Sequence, residues 1–419
     1  MNDGYKIVRD PIHGNIKLSG LFLELLDTLE IQRLYNIKQL GFAHLVFPGA
    51  HHTRLEHSLG AYKIASDLAL NLGLDDTEQE LIQCAAMLHD IGHGPFSHTL
   101  EALILDRFKV DHVDITEKLI TGEYHIYEET EKKLIPQSRT VNELLDDSNI
   151  NKKKLVNIIR GDVSNRNYLY QMLNSSIDID QLDYLMRDAY YTGVAYGMID
   201  IDRLMQTMTI YNDQLMIQRK GVTVVENILM ARSLMYSSVY LHKTVRIAEL
   251  MLSKALEFLP DPEPLRFFRL TDGEILNELK KQGAYQYEIV TRLKYRKLFK
   301  QSYMLSRHEC NEEMLQLITK LENPNTRREK EELLEEHFHI PPGHVIIDVP
   351  LPELSRSEPR LHKTDISILE DNKPCSLDEF TPVAKAVRSR DAPDWILMVI
   401  TDERYRDVLS KSIEKHLLD

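Results

Sequence analysis

Cysteine is scarce in this chain. The three cysteines among 419 residues (Cys84, Cys310 and Cys375) are far apart, so neither a disulfide framework nor a cysteine-bound zinc is expected. Long apolar runs are missing: nothing approaches the ~18 consecutive apolar residues of a membrane span, and the start "MNDGYKIVRD" is polar. A cytoplasmic protein with neither signal peptide nor membrane contact is the simplest expectation. Positive charge is in deficit, 51 Lys and Arg against 65 Asp and Glu, net −14. That excludes a surface generally basic enough for duplex DNA while leaving room for a local basic pocket. There is no glycine-rich phosphate loop, internal repeat or low-complexity segment. What is present, 43% hydrophobic and 28% charged residues, is the balance of an ordinary enzyme large enough for one domain plus a smaller lobe.

The opening "YKIVRDPIHGNIKLS" alternates apolar residues around Asp10-Pro11 and His13-Gly14, which predicts a small hairpin. From residue 20 to about 205 apolar residues recur three and four apart, as in "QELIQCAAMLHDI", and predict helices. "QTMTIYNDQLMIQRKGVTV" predicts a second hairpin turning at Asn212-Asp213. One long helix is then expected from "VENILMARS" to the "PDPEP" break at 260–264. Beyond it, 272–340 reads as charged helices, with "RREKEELLEEH" as a solvated face. The runs "HVIIDV", "DISIL" and "WILMVI" read as short strands, and "RYRDVLSKSIEKHLL" as an amphipathic helix. The expected fold is mainly α: a catalytic core over 1–260 with small β-hairpins, and a mixed α+β lobe over 261–419. The basic stretch "TRLKYRKLFKQSY", with Tyr295, Phe299 and Tyr303 four apart, offers rings for single-stranded nucleic acid. An amphipathic helix packing those rings on the core is the preferred reading.

The chemistry concentrates in "HHTRLEHSLG", "MLHDIGHGPFSH", "DHVDIT" and "IDIDQLDYLMRD". His89 and Asp90 end an apolar helix just before Gly92 and Gly94, where both side chains are free to point at one centre. Two imidazoles and two carboxylates suit a divalent ion such as Mn²⁺, Fe²⁺ or Zn²⁺ and leave room for water. The sequence offers His57 and Asp180 as the other pair. Asp180, Asp183, Tyr184, Arg187 and Asp188 form a polar stripe on one helix face, either functional or simply solvated. Arg54, three residues before His57, is placed to reach the same ligand. Arg232, Tyr236, Tyr240 and Lys243 make a second face of cations and rings, which a core helix with snorkelling cations would also produce.

In this order the four stretches resemble the HD phosphohydrolase superfamily. With "DPIHG", "IQRLYNIKQLG" and "VFPGAHHTRLEHSLG" they are similar to the deoxynucleotide triphosphohydrolases of the SAM-and-HD-domain and dGTPase-like group. The match covers about residues 5 to 250, with no SAM domain expected ahead of it. The resemblance implies His57, His89, Asp90 and Asp180 as ligands of a divalent metal (Mn, Mg, Fe or Zn). It places His93, His98 and His112 around the α-phosphate, with Glu101 orienting His98. A metal-activated water and a proton from a poised histidine are what cleavage at the 5′-oxygen needs.

The same resemblance implies substrate contacts from Gln39 and Leu40 at the sugar edge, Arg232 at a phosphate, Tyr184 and Asp188 at sugar and phosphate, and Tyr240 under the sugar. Two positions depart from the pattern. Gln181 stands where a lysine frequently follows the fourth ligand, and Tyr236 where a histidine follows the phosphate arginine. Lys6, Asp27, Gln32, Val46, Phe47, His242 and Lys243 match a regulatory nucleotide site at subunit contacts, although Tyr35 replaces an arginine there. The expected activity is hydrolysis of deoxynucleoside triphosphates to deoxynucleoside and triphosphate by a dimer or tetramer. The alternatives are a phosphodiesterase or nucleotidase acting on another phosphoester, and a nucleotide-sensing protein with a structural metal.

Overall fold

The computed structural model describes residues 4–96, 100, 103–104, 109–161, 167–259, 264–350, 366–389 and 395–418. It is mainly helical with small sheets, as expected. The first hairpin pairs β1 (Tyr5–Asp10) with β2 (Gly14–Ser19), Asp10 facing Gly14 across the turn. The Asp10 carboxylate shapes that turn by accepting from the Ile12 and His13 amides at 2.9 and 2.8 Å, as an Asx-turn does.

Two long helices frame the core. In α1 (Arg54–Leu72) the Thr53–Glu56 capping box starts the helix and Gly73, at φ 69, ends it in the left-handed conformation. In α2 (Asp76–Leu88) His89 is the C-cap. Farther on, α3 (His112–Thr121) and α4 (Ile179–Thr192) complete the bundle. The Asp178 side chain caps α4 by accepting from the Gln181 amide at 3.0 Å. Helix α1 packs on both α2 and α4, so a ligand on each helix needs no loop to reach the others. Gly92 allows the final approach, since a Cβ there would lie 2.1 Å from the His112 carbonyl oxygen.

The second hairpin is present, β3 (Met208–Tyr211) with β4 (Gln214–Gln218), turning at Asn212 and Asp213 with φ of 48 and 62. The single long helix is not. It divides into α5 (Val222–Met235), a widened π turn over Tyr236–Tyr240, and α6 (Lys243–Glu257), which His242 caps by accepting from the Thr244 amide at 3.2 Å. The apolar period carries across both pieces, which hides the join from the sequence. Functional sites are frequent places for such turns, and here the turn carries Tyr236 and Tyr240.

The second half differs from expectation at one stretch in particular. Helices α7 (Asp272–Leu279) and α8 (Ala284–Lys294) are followed by strand β5 (Lys300–Leu305), not by a continued helix. Arg296, at φ 55, turns the chain out of α8. Tyr295 is therefore exposed, Phe299 buried and Tyr303 in between, and no helical face gathers the three rings. The α9 (Glu312–Leu321) and α10 (Pro324–Phe338) helices follow. The α10 face is not wholly solvated: Glu331 and Glu335 are buried.

The expected strands appear as β6 (Val345–Asp348), β7 (Ser367–Glu370) and β9 (Leu397–Thr401), and β8 (Lys373–Ser376) was not foreseen. They divide between two sheets, ordered β3-β4-β7-β8 and β5-β9-β6. Side chains alternate across β6 and β9. Ile346, Met398 and Ile400 join the main core, while Val345, Ile347, Leu397 and Val399 join a second cluster with Met314, Ile318 and Leu334. Burial on both faces explains why "WILMVI" reads as an unbroken apolar run. Among the described residues no helix is long and apolar enough to cross a membrane.

Candidate metal centre

His57, His89 and Asp90 bring donor atoms within mutual reach of one ion, and Asp180 lies against both histidines. His57 on α1 is fully buried, and its Nε2 lies 3.3 Å from His89 Nε2 and 3.1 Å from Asp180 Oδ1. His89 Nε2 lies 3.3 Å from Asp90 Oδ1 and 3.7 Å from Asp180 Oδ1. Donor atoms held ~2.1 Å from one ion sit roughly 3.0–3.4 Å apart when adjacent; three of these separations match that spacing for a shared divalent ion, and the His89–Asp180 one is longer. Each imidazole is fixed from behind, His57 Nδ1 by Asp183 at 2.8 Å and His89 Nδ1 by the Ala86 carbonyl at 2.8 Å. Both Nε2 lone pairs are thereby aimed inward, the tautomer that ligation requires.

Charge points the same way. Burial alone would lower the His57 imidazole, but its bonds to Asp180 and Asp183 outweigh that and hold it up at about 10. His89 is likewise raised, by Asp90 and Asp180 against its burial. Burial would raise the Asp90 carboxyl, yet His89, Arg54 and His93 hold it well below the usual carboxylate range. A cluster that pulls protons onto two histidines is one whose protons a divalent cation displaces. The residues therefore fit a metal.

Around the cluster, Arg54 donates to Asp90 Oδ2 at 2.6 Å and is itself buried. His93 lies 3.3 Å from Asp90 Oδ1 and stacks on His112 with centroids 3.8 Å apart. Burial, reinforced by Arg54 and His112, pushes the His93 imidazole well below its ordinary value, so it is neutral. The loop bearing these groups is tied down by Arg33, which donates to the Ile91 and His93 carbonyls at 3.0 and 2.6 Å. His98 and Glu101 lie outside the described residues.

Two turns along α4 from Asp180, a second polar knot forms. Asp188 accepts from the Tyr240 hydroxyl at 2.7 Å and pairs with His52 Nε2 at 2.7 Å. The Tyr240 ring meets Tyr184 and Tyr236 edge-on at 6.0 and 5.0 Å. The Gln39 amide donates to the His52 carbonyl at 3.1 Å, which brings the Gln39-Leu40 segment against the same knot. Arg232 is fully buried and donates to the Ser176 carbonyl at 3.1 Å. The buried Gln181 amide is assigned with its nitrogen on Ser176 O and its oxygen on Arg232. That side chain is therefore engaged inside the core.

The regulatory set falls in two groups. Lys6 and Asp27 form an exposed pair at 3.6 Å beside Gln32, which donates to the Leu26 carbonyl. Phe47, next to half-buried Val46, meets the His242 ring edge-on at 5.8 Å, and Lys243 donates to Gln301 at 2.9 Å.

Sequence reasoning placed Asp183 and Arg187 in a polar stripe without a role and gave none to Asp10 or His13; the four join in one buried network behind His57. It also missed His52. The available signal was an Asp and a His in one hairpin turn, together with an Asp-Arg pair four apart in the polar stripe of α4.

Residues 54–188 match the model of the HD domain, and residues 199–418 match that of the HD associated region. An uncharacterized protein of Methanocaldococcus jannaschii is 29% identical over 98% of this chain and 83% of its own. A deoxynucleoside triphosphate triphosphohydrolase SAMHD1 homolog of Dictyostelium discoideum is 28% identical over 70% of this chain. That match spans 59% of the Dictyostelium protein, less than two thirds of its length. The solved structure of a hypothetical protein from Aquifex aeolicus superposes with a TM-score of 0.72 at 31% identity, covering 98% of this chain and all of the other.

Proposed function

The chain belongs to the HD-domain phosphohydrolase superfamily, and from that premise we propose that it hydrolyses deoxynucleoside triphosphates to deoxynucleoside and inorganic triphosphate. The observation that carries this reading is the meeting of His57, His89, Asp90 and Asp180, with Arg54 on Asp90 and the His93–His112 stack alongside. These four residues would hold the metal, and two imidazoles with two carboxylates suit Mn²⁺, Fe²⁺ or Zn²⁺, with Mg²⁺ the harder alternative. A bound ion supplies an activated water and polarises a phosphoryl oxygen.

The chain's own groups do the rest. Arg54 brings fixed positive charge beside the ligands, where an anionic substrate needs it. His93, kept neutral, offers a hydrogen bond to a phosphate oxygen without adding charge, and its stack on His112 holds the ring plane. His98, oriented by Glu101, is assigned the proton for the departing 5′-oxygen. Asp188, Tyr184 and Tyr240 face the sugar, with Gln39 and Leu40 at its edge, and Arg232 and Tyr236 complete the phosphate side. Lys6, Asp27, Gln32, Val46, Phe47, His242 and Lys243 form a nucleotide-responsive subunit contact of a dimer or tetramer. Strictly hyperbolic kinetics on a species monomeric by light scattering would remove that last assignment.

The test is product analysis. Each of the four dNTPs is incubated with Mn²⁺ or Mg²⁺ and the products are resolved by ion exchange. Free triphosphate with deoxynucleoside is expected. Monophosphate with pyrophosphate, or orthophosphate, would place the cleavage at a phosphoanhydride and overturn this reading, and no product from any dNTP would move the reaction to another phosphoester. One observation favours that second reading: Gln181, in place of the lysine common in the resembling enzymes, is engaged within the core.

A further inference from the structure

Asp180 and Asp183 stand one turn apart on α4, and Asp180 lies against the Nε2 atoms of both His57 and His89. Asp183 sits behind His57 with no exposed surface. Its Oδ2 accepts from His57 Nδ1 at 2.8 Å and from Arg187 Nε at 2.9 Å. Its Oδ1 meets His13 Nε2 at 2.6 Å and an Arg187 terminal nitrogen at 2.9 Å. A carboxylate has about four lone-pair sites, so Asp183 is saturated and does not ligate. Arg187 is in turn held by Asp10 at 2.7 Å, and Asp10 fixes the His13 amide at 2.8 Å. The ring of contacts closes through the N-terminal hairpin turn.

The backbone is built around this network. Gly60, one turn after His57 on α1, lies so close that a Cβ would come within 1.8 Å of Asp183 Oδ1 and 2.3 Å of Arg187. Glycine at this place lets α1 and α4 approach until the His57 ring and the Asp183 carboxylate are in register.

We infer that Asp183 is the positioning residue of the metal centre, and that the N-terminal hairpin, through His13, is a working part of it. This rests on the metal centre proposed above. Asp183 accepts the Nδ1 proton of His57 and so leaves the Nε2 lone pair for the ion. His13 and Arg187 keep the carboxylate from turning away. The hairpin thereby reaches the metal through two hydrogen bonds, although His13 and His57 belong to different elements and no ligand lies on the hairpin.

The experiment measures metal binding, not turnover. Mn²⁺ affinity is titrated by electron paramagnetic resonance for the parent, Asp183→Asn, His13→Ala and His13→Gln, alongside the visible spectrum of each Co²⁺-loaded protein. An asparagine presents one acceptor and an NH₂ group, which disturbs the His57 tautomer. Asp183→Asn should weaken Mn²⁺ binding by about 10- to 100-fold and His13→Ala by about tenfold, within the range of such outer contacts. His13→Gln, which keeps a donor, should recover to within about threefold of the parent and restore its Co²⁺ spectrum. A merely structural network would lower the melting temperature and leave affinity and spectrum unmoved. If Asp183→Asn fails to fold, the His13 pair decides. Parent affinity and spectrum in the folded variants overturn this inference alone. A parent chain that binds no divalent ion overturns the metal reading and this inference together.

Discussion

Two clusters among the described residues bring histidine and carboxylate donors within reach of one ion: His57, His89 and Asp90 in the first half, and Glu288, His344 and Asp402 in the second. They differ in what already holds the oxygens. In the second cluster Arg292 bonds both Glu288, at 2.7 Å, and Asp402. Arg404 adds three more bonds to Asp402, at 2.9 to 3.0 Å. His344 Nε2, 3.4 Å from Glu288, completes a charge-balanced knot between α8 and the end of β9. In the first cluster Arg54 takes one oxygen of Asp90, while two imidazole nitrogens converge on the other carboxylate oxygens. Proximity of donor types is common to both. Two imidazole Nε2 atoms directed at carboxylate oxygens, each ring fixed through its Nδ1, belong to the first.

The sharpest way to break this contrast is to remove one donor from each. Asp180→Ala should abolish Mn²⁺ binding and lower kcat by at least about a thousandfold, several kcal/mol of transition-state stabilisation. Its circular dichroism should match the parent's, because Asp178 still caps α4. Asp402→Ala should keep the parent's metal stoichiometry by plasma mass spectrometry and its kcat. A metal equivalent lost with Asp402 would erase the distinction.

The first region should also discriminate sugars. The Tyr240 ring is held by its hydroxyl on Asp188 and by its contacts with Tyr184 and Tyr236. On the proposed assignment of Tyr240 to the sugar's 2′ edge, dATP should be favoured over ATP by about a hundredfold in kcat/KM. Equal values for the two nucleotides would detach Tyr240 and Leu40 from the sugar.

What the sequence disclosed follows the same division. His57, His89, Asp90 and Asp180 were legible because short motifs put chemically unusual side chains at helix ends. The four residues behind them were not, since Asp10 and His13 meet Asp183 and Arg187 only after the hairpin folds onto α4. Both hairpins announced themselves through turn residues and alternation. The π turn at Tyr236–Tyr240 was hidden because apolar spacing continues through it. In the second half, the spacing of Tyr295, Phe299 and Tyr303 imitated a helix where Arg296 reverses the backbone. Charge density made α10 look solvated, although Glu331 and Glu335 find partners no local pattern reveals.

If the second cluster is structural, its carboxylates should register in stability. Arg292 and Arg404 hold Asp402 down to about 2, against the tendency of burial to raise it. A carboxyl lowered on folding stabilises the native state above its unfolded value near 4, and that contribution disappears as pH falls through about 2. Asp402→Ala should therefore cost about 2 kcal/mol at pH 7 in urea unfolding. The gap from the parent should narrow as the medium is acidified. A constant gap down to pH 2 would deny that the ionised carboxylate is what matters.

The smallest expected effect has the opposite sign. Strand β6 is an edge of its sheet, and its outward amides at Val345 and Ile347 are taken by Glu335 at 2.9 Å and Glu331 at 2.8 Å. Two buried glutamates one turn apart thus close an edge that would otherwise leave donors unpaired. Lys254, 2.5 Å from Glu331, supplies positive charge. Burial raises the Glu335 carboxyl to about 7, with the Val345 amide and Lys254 opposing and Glu331 adding to the rise. An acid raised on folding binds its proton more tightly in the native state, so stability declines as pH climbs from about 4.5 through 7. Glu335→Gln keeps an oxygen for the Val345 amide and has no proton to lose. At pH 8 it should gain on the order of 1 kcal/mol over the parent, a degree or two in Tm for a chain of this size. At pH 5, where Glu335 is protonated in the native state, the gain should vanish. Calorimetry at the two pH values decides it, and an equal shift at both would mean that glutamine changes packing and not charge.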